Sequence, residues 1–383
     1  MATILCGCYQ NSSANSIIAL CHKLTALTDI TVVILAYGPA IDSLRKAGFD
    51  HLALDSDGLG GASLKDHIGK MRPDVVVVGT SKSSSEAPTL EQILTEIAAA
   101  ERIPSVSLLD YVGSPQNPRY CANNRRYLPD TIVAPDFWTK SRMVEEGFPE
   151  AIIRVLGNPQ YDSLVVLKNQ FDDRKRLELR RGLGIPSKKL SAYLVQFIGC
   201  VRADRAKEGC QSWDIDYVES LCSSLILHKP ENEVALILRV HPREAETCPS
   251  NWDAVIQKVK AFGLPFYPVD LAMDPNETSL ACDLTVVSRS NIATQNVFMG
   301  LKTISIQLDD PKNDDLGMTQ MGAIPVAYSK QEATDIMRRL FAEQDFWSPY
   351  EEIQRMIRME NDGKSGDKVS RLVCGLAGGS DSQ

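Results

Sequence analysis

The feature that most restricts what this chain can fold into is a rhythm. Short, continuous apolar runs rich in β-branched residues alternate with longer segments of helical periodicity, beginning at the first residues. In the first half the runs are TILCGCY, ITVVILAYG, HLALDSD, DVVVVGTS, PSVSLLDYVG and DTIVAPDF. A strand with one wet face alternates apolar and polar residues. These runs do not, so they predict strands covered on both faces of a parallel sheet. Between them lie SANSIIALCHKL, AIDSLRKAG, LKDHIGKM and TLEQILTEIAAAER, which predict helices. Strand then helix, repeated, gives βαβ units and a doubly wound sheet.

A second series follows RVLGNPQYDSL. Its strands are SAYLVQFIG, EVALILRV, PFYPV, DLTVVS and KTISIQL. The charged stretch YDSLVVLKNQFDDRKRLELRRGLGI reads as one or two helices bridging the two series. A length of 383 residues is too great for one ordinary core and comfortable for two. The expected class is therefore α/β, with two Rossmann-like domains facing across a cleft. The first domain is expected over 1–165 and the second over 166–345. A C-terminal helix over 346–372 would cross back to the first domain, followed by a small, polar, flexible tail over 373–383.

Composition narrows the function classes. A hydrophobic fraction of 44% with 23% charged residues is that of a globular protein. A net charge of −8 argues against nucleic acid as a partner, since that needs a concentrated basic face. No apolar run approaches the roughly 20 residues that cross a bilayer, and the start MATILCGCYQ lacks the basic segment of a signal peptide. The ten cysteines form no CxxC pair and no Cys/His cluster. They read as reduced, mostly buried thiols of a cytoplasmic protein without a metal site.

Open parallel sheets bind ligands beyond the carboxyl ends of their strands, so the search for chemistry narrows to those ends. EVALILRVHPRE places Arg239, His241 and Arg243 at one. Imidazole can hold a phosphate oxygen or take a hydroxyl proton, and the arginines add phosphate donors. The rival explanation is a strand that simply exits into solvent there. In CDLTVVSRSNIATQNVFMG a strand meets Ser288, Ser290 and Asn291 at the start of a helix. Free amides at a helix start make an anion cradle, although ordinary capping uses the same residue types. AIIRVLGNPQYDSL sets Gly157 and Asn158 in a turn that suits either a ligand contact or a domain junction. Asp110 ends PSVSLLD as a candidate general base, against the alternative of a solvated loop aspartate. There is neither a GxGxxG fingerprint nor a Walker A loop, so no bound cofactor is expected.

Two stretches carry a resemblance. LPDTIVAPDFWTKSRMVEEGFPEAIIRVLGNPQYDSL is similar to the domain junction of GT-B-fold proteins. The nearest groups are the hydrolysing UDP-N-acetylglucosamine 2-epimerases and the CDP-glycerol glycerophosphotransferases with the polysialyltransferases. The likeness covers 129–164 well and 233–305 moderately, and earlier residues match in rhythm alone. In the transferase group a His-Pro motif and a Ser-containing strand–helix junction grip the donor's phosphates. His241-Pro242 and Ser288 with Ser290 stand at those positions. Gln295 stands where many GT-B chains carry a glutamate that binds ribose hydroxyls; it can hydrogen-bond without the charge. The loop CYQNSSANS replaces the Arg-Pro-Glu loop of the 2-epimerases.

The leading expectation from these residues is a metal-independent GT-B glycosyltransferase, active in glycan biosynthesis. It would move a sugar or polyol-phosphate unit from a nucleotide-activated donor to a hydroxyl acceptor. Arg239, His241, Arg243 and the Ser288–Asn291 helix start would hold the donor phosphates, with Gly157, Asn158 and Gln295 beside them. Asp110 would be the acceptor base and His241 would assist departure of the nucleotide. A nucleotide-sugar 2-epimerase stands second, and a non-catalytic GT-B-like binding subunit third. The oligomeric state, a homodimer included, is left open.

Overall fold

A computed structural model describes residues 1–54, 61–81, 88–110, 112, 125–199, 213–228, 233–239, 249–269, 273–308 and 310–378. The chain divides into two compact units. One comprises Met1–Ser163 with Met359–Gln383, the other Leu164–Arg358.

The first unit opens with β1 (Ala2–Cys8), α1 (Asn11–Leu24), β2 (Ile30–Tyr37) and α2 (Ala40–Lys46). It continues through β3 (Leu52–Leu54), α3 (Gly61–Met71), β4 (Val75–Val78) and α4 (Leu90–Glu101). Then come β5 (Ser105–Leu108), β6 (Thr131–Ala134), α5 (Phe137–Glu145) and β7 (Ile153–Val155). All pairings are parallel, in the order β3-β2-β1-β4-β5-β6-β7. The order reverses between β1 and β4, the switch point where such sheets leave a crevice.

Both faces are covered, as the unbroken apolar runs require. Along β1, Ile4 and Cys6 join one core cluster with Ile17 and Leu20 of α1, while Leu5 joins the other with Leu94 of α4. Val77 of β4 lies opposite Cys6 in register. The described cysteines are free; Cys6, Cys8, Cys21, Cys222 and Cys282 are buried and Cys374 is half-buried. They fill core space as small apolar groups.

The second unit repeats the plan. After α6 (Asp162–Asn169) and α7 (Asp173–Gly182) come β8 (Tyr193–Ile198), α8 (Trp213–His228) and β9 (Val234–Arg239). Then follow α9 (Pro249–Ala261), β10 (Phe266–Pro268), α10 (Pro275–Ala281), β11 (Leu284–Val287) and α11 (Ile292–Met299). The series ends with β12 (Thr303–Ile306), α12 (Gly317–Gln320), β13 (Val326–Ala327), α13 (Lys330–Ala342) and α14 (Ser348–Glu360). Its sheet order is β10-β9-β8-β11-β12-β13, again parallel, with the switch point between β8 and β11. The two-Rossmann class expected from the sequence is what the chain adopts.

One last helix, α15 (Ser365–Leu376), belongs to the first unit. Its Val369 and Val373 have no solvent exposure and complete the cluster around α1. Burial of a valine is worth roughly 1.5–3 kcal/mol. Asp162 accepts from the first amides of this helix, Ser365 N (3.0 Å) and Gly366 N (2.7 Å). Lys23 pairs with Asp367 at 2.8 Å. Among the described residues no helix is long and apolar enough to cross a membrane.

Candidate functional site

In the first unit, polar side chains collect beyond β1, β4 and β5. Apolar strands end there, and hydroxyls and carboxylates satisfy the freed backbone groups. Gly79 follows β4 and lies against α1, where a Cβ would come within 2.4 Å of the Ser13 Cβ. That contact lets Ser13 Oγ accept from Thr80 N at 3.2 Å. The Thr80 hydroxyl donates to Asp110, which is 7% exposed at the end of β5. Ser81 Oγ accepts from Gln10 N (3.1 Å), lies 3.2 Å from Ser13 Oγ, and donates to Glu91.

Glu91 is a group that the sequence did not reveal. It sits in the first turn of α4, has no solvent exposure, and also accepts from Tyr9 N at 3.2 Å. Its Oε2 has no hydrogen-bond partner among the described residues. Burial pushes its pKa up, and the bonds from Ser81 and Tyr9 offset this in part. A glutamate inside a Thr-x-x-Gln capping box normally faces water, so nothing in TLEQ marks it as interior.

A second carboxylate pair stands at the end of β6. Asp136 caps α5 by accepting from Thr139 N at 2.6 Å, and it is 1% exposed. Burial pushes its pKa up to about 6. Glu360 accepts from Phe137 N (3.3 Å), and burial with the nearby Asp136 charge pushes it up to about 7. The native state thus holds a proton on Asp136 that the unfolded chain releases above its ordinary range near 4. This contribution is fully present below about pH 4 and is lost as pH rises through about 6. Asp136→Asn keeps a capping oxygen and removes the titration. Relative to wild type, the variant is expected to gain on the order of 2 kcal/mol between pH 4 and pH 7, read from urea midpoints. A difference between the two proteins that does not change with pH would refute this.

Gly157 and Asn158 are engaged in docking the C-terminal segment. Asn158 N donates to Asn361 Oδ1 (3.0 Å), its Nδ2 donates to Leu109 O (2.9 Å), and its Oδ1 accepts from Ser16 and Gln160. Gly157 has φ +82°, and a Cβ there would lie 2.1 Å from Ser365 Oγ. Gly157→Ala is expected to cost about 2–4 kcal/mol, adding a left-handed backbone to an overpacked contact. Denaturant unfolding measures the loss, and an unchanged midpoint would rule the contact out as a constraint.

In the second unit the corresponding ends are those of β8, β9 and β11. Arg239 is 6% exposed, and its guanidinium donates to Met273 O at 2.8 Å. His241 and Arg243 lie outside the described residues. Ser288 is buried and its carbonyl accepts from Ser305 Oγ at 2.6 Å. Ser290 Oγ accepts from Ile292 N at 3.3 Å, bracing the start of α11. Asn291 holds the N-cap position of that helix without a side-chain capping bond. One turn on, Gln295 has a buried Oε1 with no partner among the described residues. The first amides of the helix are bonded within its own start, Ala293 N to Ser290 O and Gln295 N to Asn291 O, which leaves Gln295 Oε1 as the open acceptor there. Beyond β12, Asp314 accepts from Gln307 (2.9 Å), Leu316 N (3.0 Å) and Tyr328 OH (2.7 Å), which ties down the next loop. No group of three or more metal-binding side chains occurs among the described residues.

No family model matches the chain, and no curated protein matches its sequence. Solved structures do match its fold over essentially its whole length. One is a UDP-GlcNAc 2-epimerase from Neisseria meningitidis bound to UDP-GlcNAc, at 14% identity and TM-score 0.66, covering 97% of this chain and 100% of that one. Another is MnaA of S. aureus with UDP, at 13% identity and TM-score 0.67, covering 98% and 96%. A third is the UDP-GlcNAc 2-epimerase of Methanocaldococcus jannaschii, at 14% and 0.64, covering 97% and 99%. These likenesses show the GT-B-type fold. They also correct the leading expectation. Two of these three structures are named as UDP-GlcNAc 2-epimerases, so transfer to an acceptor gives way to the reading placed second. The loop CYQNSSANS, which lacks the Arg-Pro-Glu of the 2-epimerases, is a short segment, and fold similarity does not depend on it.

Proposed function

We propose that this protein is an enzyme that inverts C2 of a nucleotide-activated sugar, without transferring the sugar. The observation that carries the reading is the full-length likeness to structures named as 2-epimerases, one of them bound to UDP-GlcNAc. Within this chain, Asp110 and the α11 start stand at the carboxyl ends of their respective sheets, where the chemistry requires a base and an anion cradle.

A sugar C2–H has no adjacent carbonyl to acidify it. Its loss becomes feasible when the C1–O bond breaks in the same step. The C2–H pair then forms the C1=C2 bond, the proton passes to a base, and the nucleoside diphosphate departs with the C1–O pair. Re-addition with the proton delivered to the other face yields the epimer. Asp110 takes the role of base, and the Thr80 hydroxyl fixes the direction of its carboxylate. His241, Arg243 and the helix start with Ser288, Ser290 and Asn291 hold the diphosphate and stabilise its departure. Arg239 and Gln295 flank that cradle. No cofactor enters the scheme.

The test is incubation with UDP-GlcNAc in D2O, with no acceptor present, followed by proton NMR. The expected result is the manno epimer, or free N-acetylmannosamine, with deuterium at C2. Substrate returned unchanged and fully protonated, from protein that binds UDP, would overturn the reading.

A further inference from the structure

At the amino ends of the second unit's strands, opposite the cradle just described, lies a cavity of about 470 Å³. Its size is in the roughly 300–1,000 Å³ range of small-molecule sites. The turn from Gly300 to Lys302, which leads into β12, forms one wall. The other wall is α14, where Glu351, Glu352, Arg355 and Arg358 recur at helical spacing and line the cavity together.

Three features of the lining are unfinished. Trp347 is 8% exposed, and its indole N–H has no hydrogen-bond partner among the described residues. A buried donor left unmet costs about 1–3 kcal/mol. Arg355 is exposed and forms no hydrogen bond or ion pair among the described residues. Among the described residues Arg358 donates only long bonds, to Val297 O and Gln354 Oε1, both at 3.4 Å, with the Glu351 charge nearby. Lys302 adds a third cation, with Nζ 6.0 Å from the Trp347 ring centroid.

We propose that this cavity is a second ligand site, and that its ligand is a phosphorylated sugar. Three cations on two walls match a phosphate dianion, which arginine forks bind in pairs. Glu351 and Glu352 would repel a second anion and accept from hydroxyls, which a sugar body supplies. Trp347 offers ring surface to the same body. A neutral sugar would leave the cations unanswered, and free phosphate would leave both glutamates and the indole unused. The site lies at the opposite end of the strands from the α11 cradle, so its occupant is an effector rather than a substrate. The assignment does not depend on the epimerase reading.

Isothermal titration of the full chain with glucose 6-phosphate, in saturating UDP, tests it. Inorganic phosphate and glucose are titrated in parallel. One site is expected, with phosphate and glucose each at least tenfold weaker. Arg355→Glu, at an exposed position, should weaken glucose 6-phosphate at least tenfold and leave UDP binding unchanged. Trp347→Phe keeps the ring in the core and should weaken it by a smaller factor. Equal affinity in wild type and Arg355→Glu, no heat at millimolar glucose 6-phosphate, or phosphate binding as tightly as the sugar phosphate would each overturn the proposal. Failure of UDP to bind, with glucose 6-phosphate still sensitive to Arg355→Glu, would count against the nucleotide-sugar reading and support this one.

Discussion

Asp110→Asn is expected to reduce turnover of UDP-GlcNAc by about 10²–10⁴-fold, the usual contribution of a positioned acid or base. This corresponds to roughly 3–5 kcal/mol of transition-state stabilisation. Asparagine keeps an oxygen able to accept from the Thr80 hydroxyl, so the fold should hardly notice. The informative pair of measurements is therefore kcat by the epimer assay and the unfolding midpoint of the same preparation. A tenfold loss or less, with binding intact, would remove Asp110 from the role of base. Glu91, linked to Thr80 through Ser13 and Ser81, would then be the group to replace next.

The second large effect concerns stability. Asp283 lies before β11, and its carboxylate receives Arg176 Nη2 (2.5 Å), Arg180 Nη2 (2.8 Å) and Leu194 N (2.7 Å). Arg180 is 5% exposed and also donates to Ala281 O, Leu190 O and Ala192 O. Removing one partner of a buried pair strands the other charge, at about 3–5 kcal/mol. The Asp283 side chain keeps 25% of its surface in water, so Asp283→Ala should cost about 3 kcal/mol, at the lower end. Urea unfolding reads this directly. A loss under about 1 kcal/mol would mean that water replaces the carboxylate and that the backbone carbonyls alone hold Arg180.

These two residues show what could be read from the chain and what could not. The unbroken runs VVVV and VALILR announced strands buried on both faces, because periodicity reports burial locally. The strand Val326–Ala327 has two residues and gives no period to read. The place of Asp110 just beyond β5 was legible because a strand end is a local event. The Asp283–Arg180 pair spans 103 positions, and DDRKRLELRRG looks like a solvated helix in isolation. Glu91 failed for a related reason. Its burial comes from Tyr9 and Ser81, one of them 82 residues away, and its own helix start has the pattern of an exposed one. Reaction type was the least legible of all. A base and an anion cradle serve transfer and inversion alike, so residue types at strand ends did not choose between them.

The position of α15 has a consequence for biosynthesis. The first unit is encoded almost entirely before Ser163, yet α1 receives its cover from Val369 and Val373. A nascent chain emerging from the ribosome therefore carries an apolar stripe of α1 that stays open while some two hundred further residues are made. During that interval the sheet has all seven strands, but one of its helices is left uncovered and open to association. Tags and truncations at the carboxyl terminus act on the fold of the amino-terminal half.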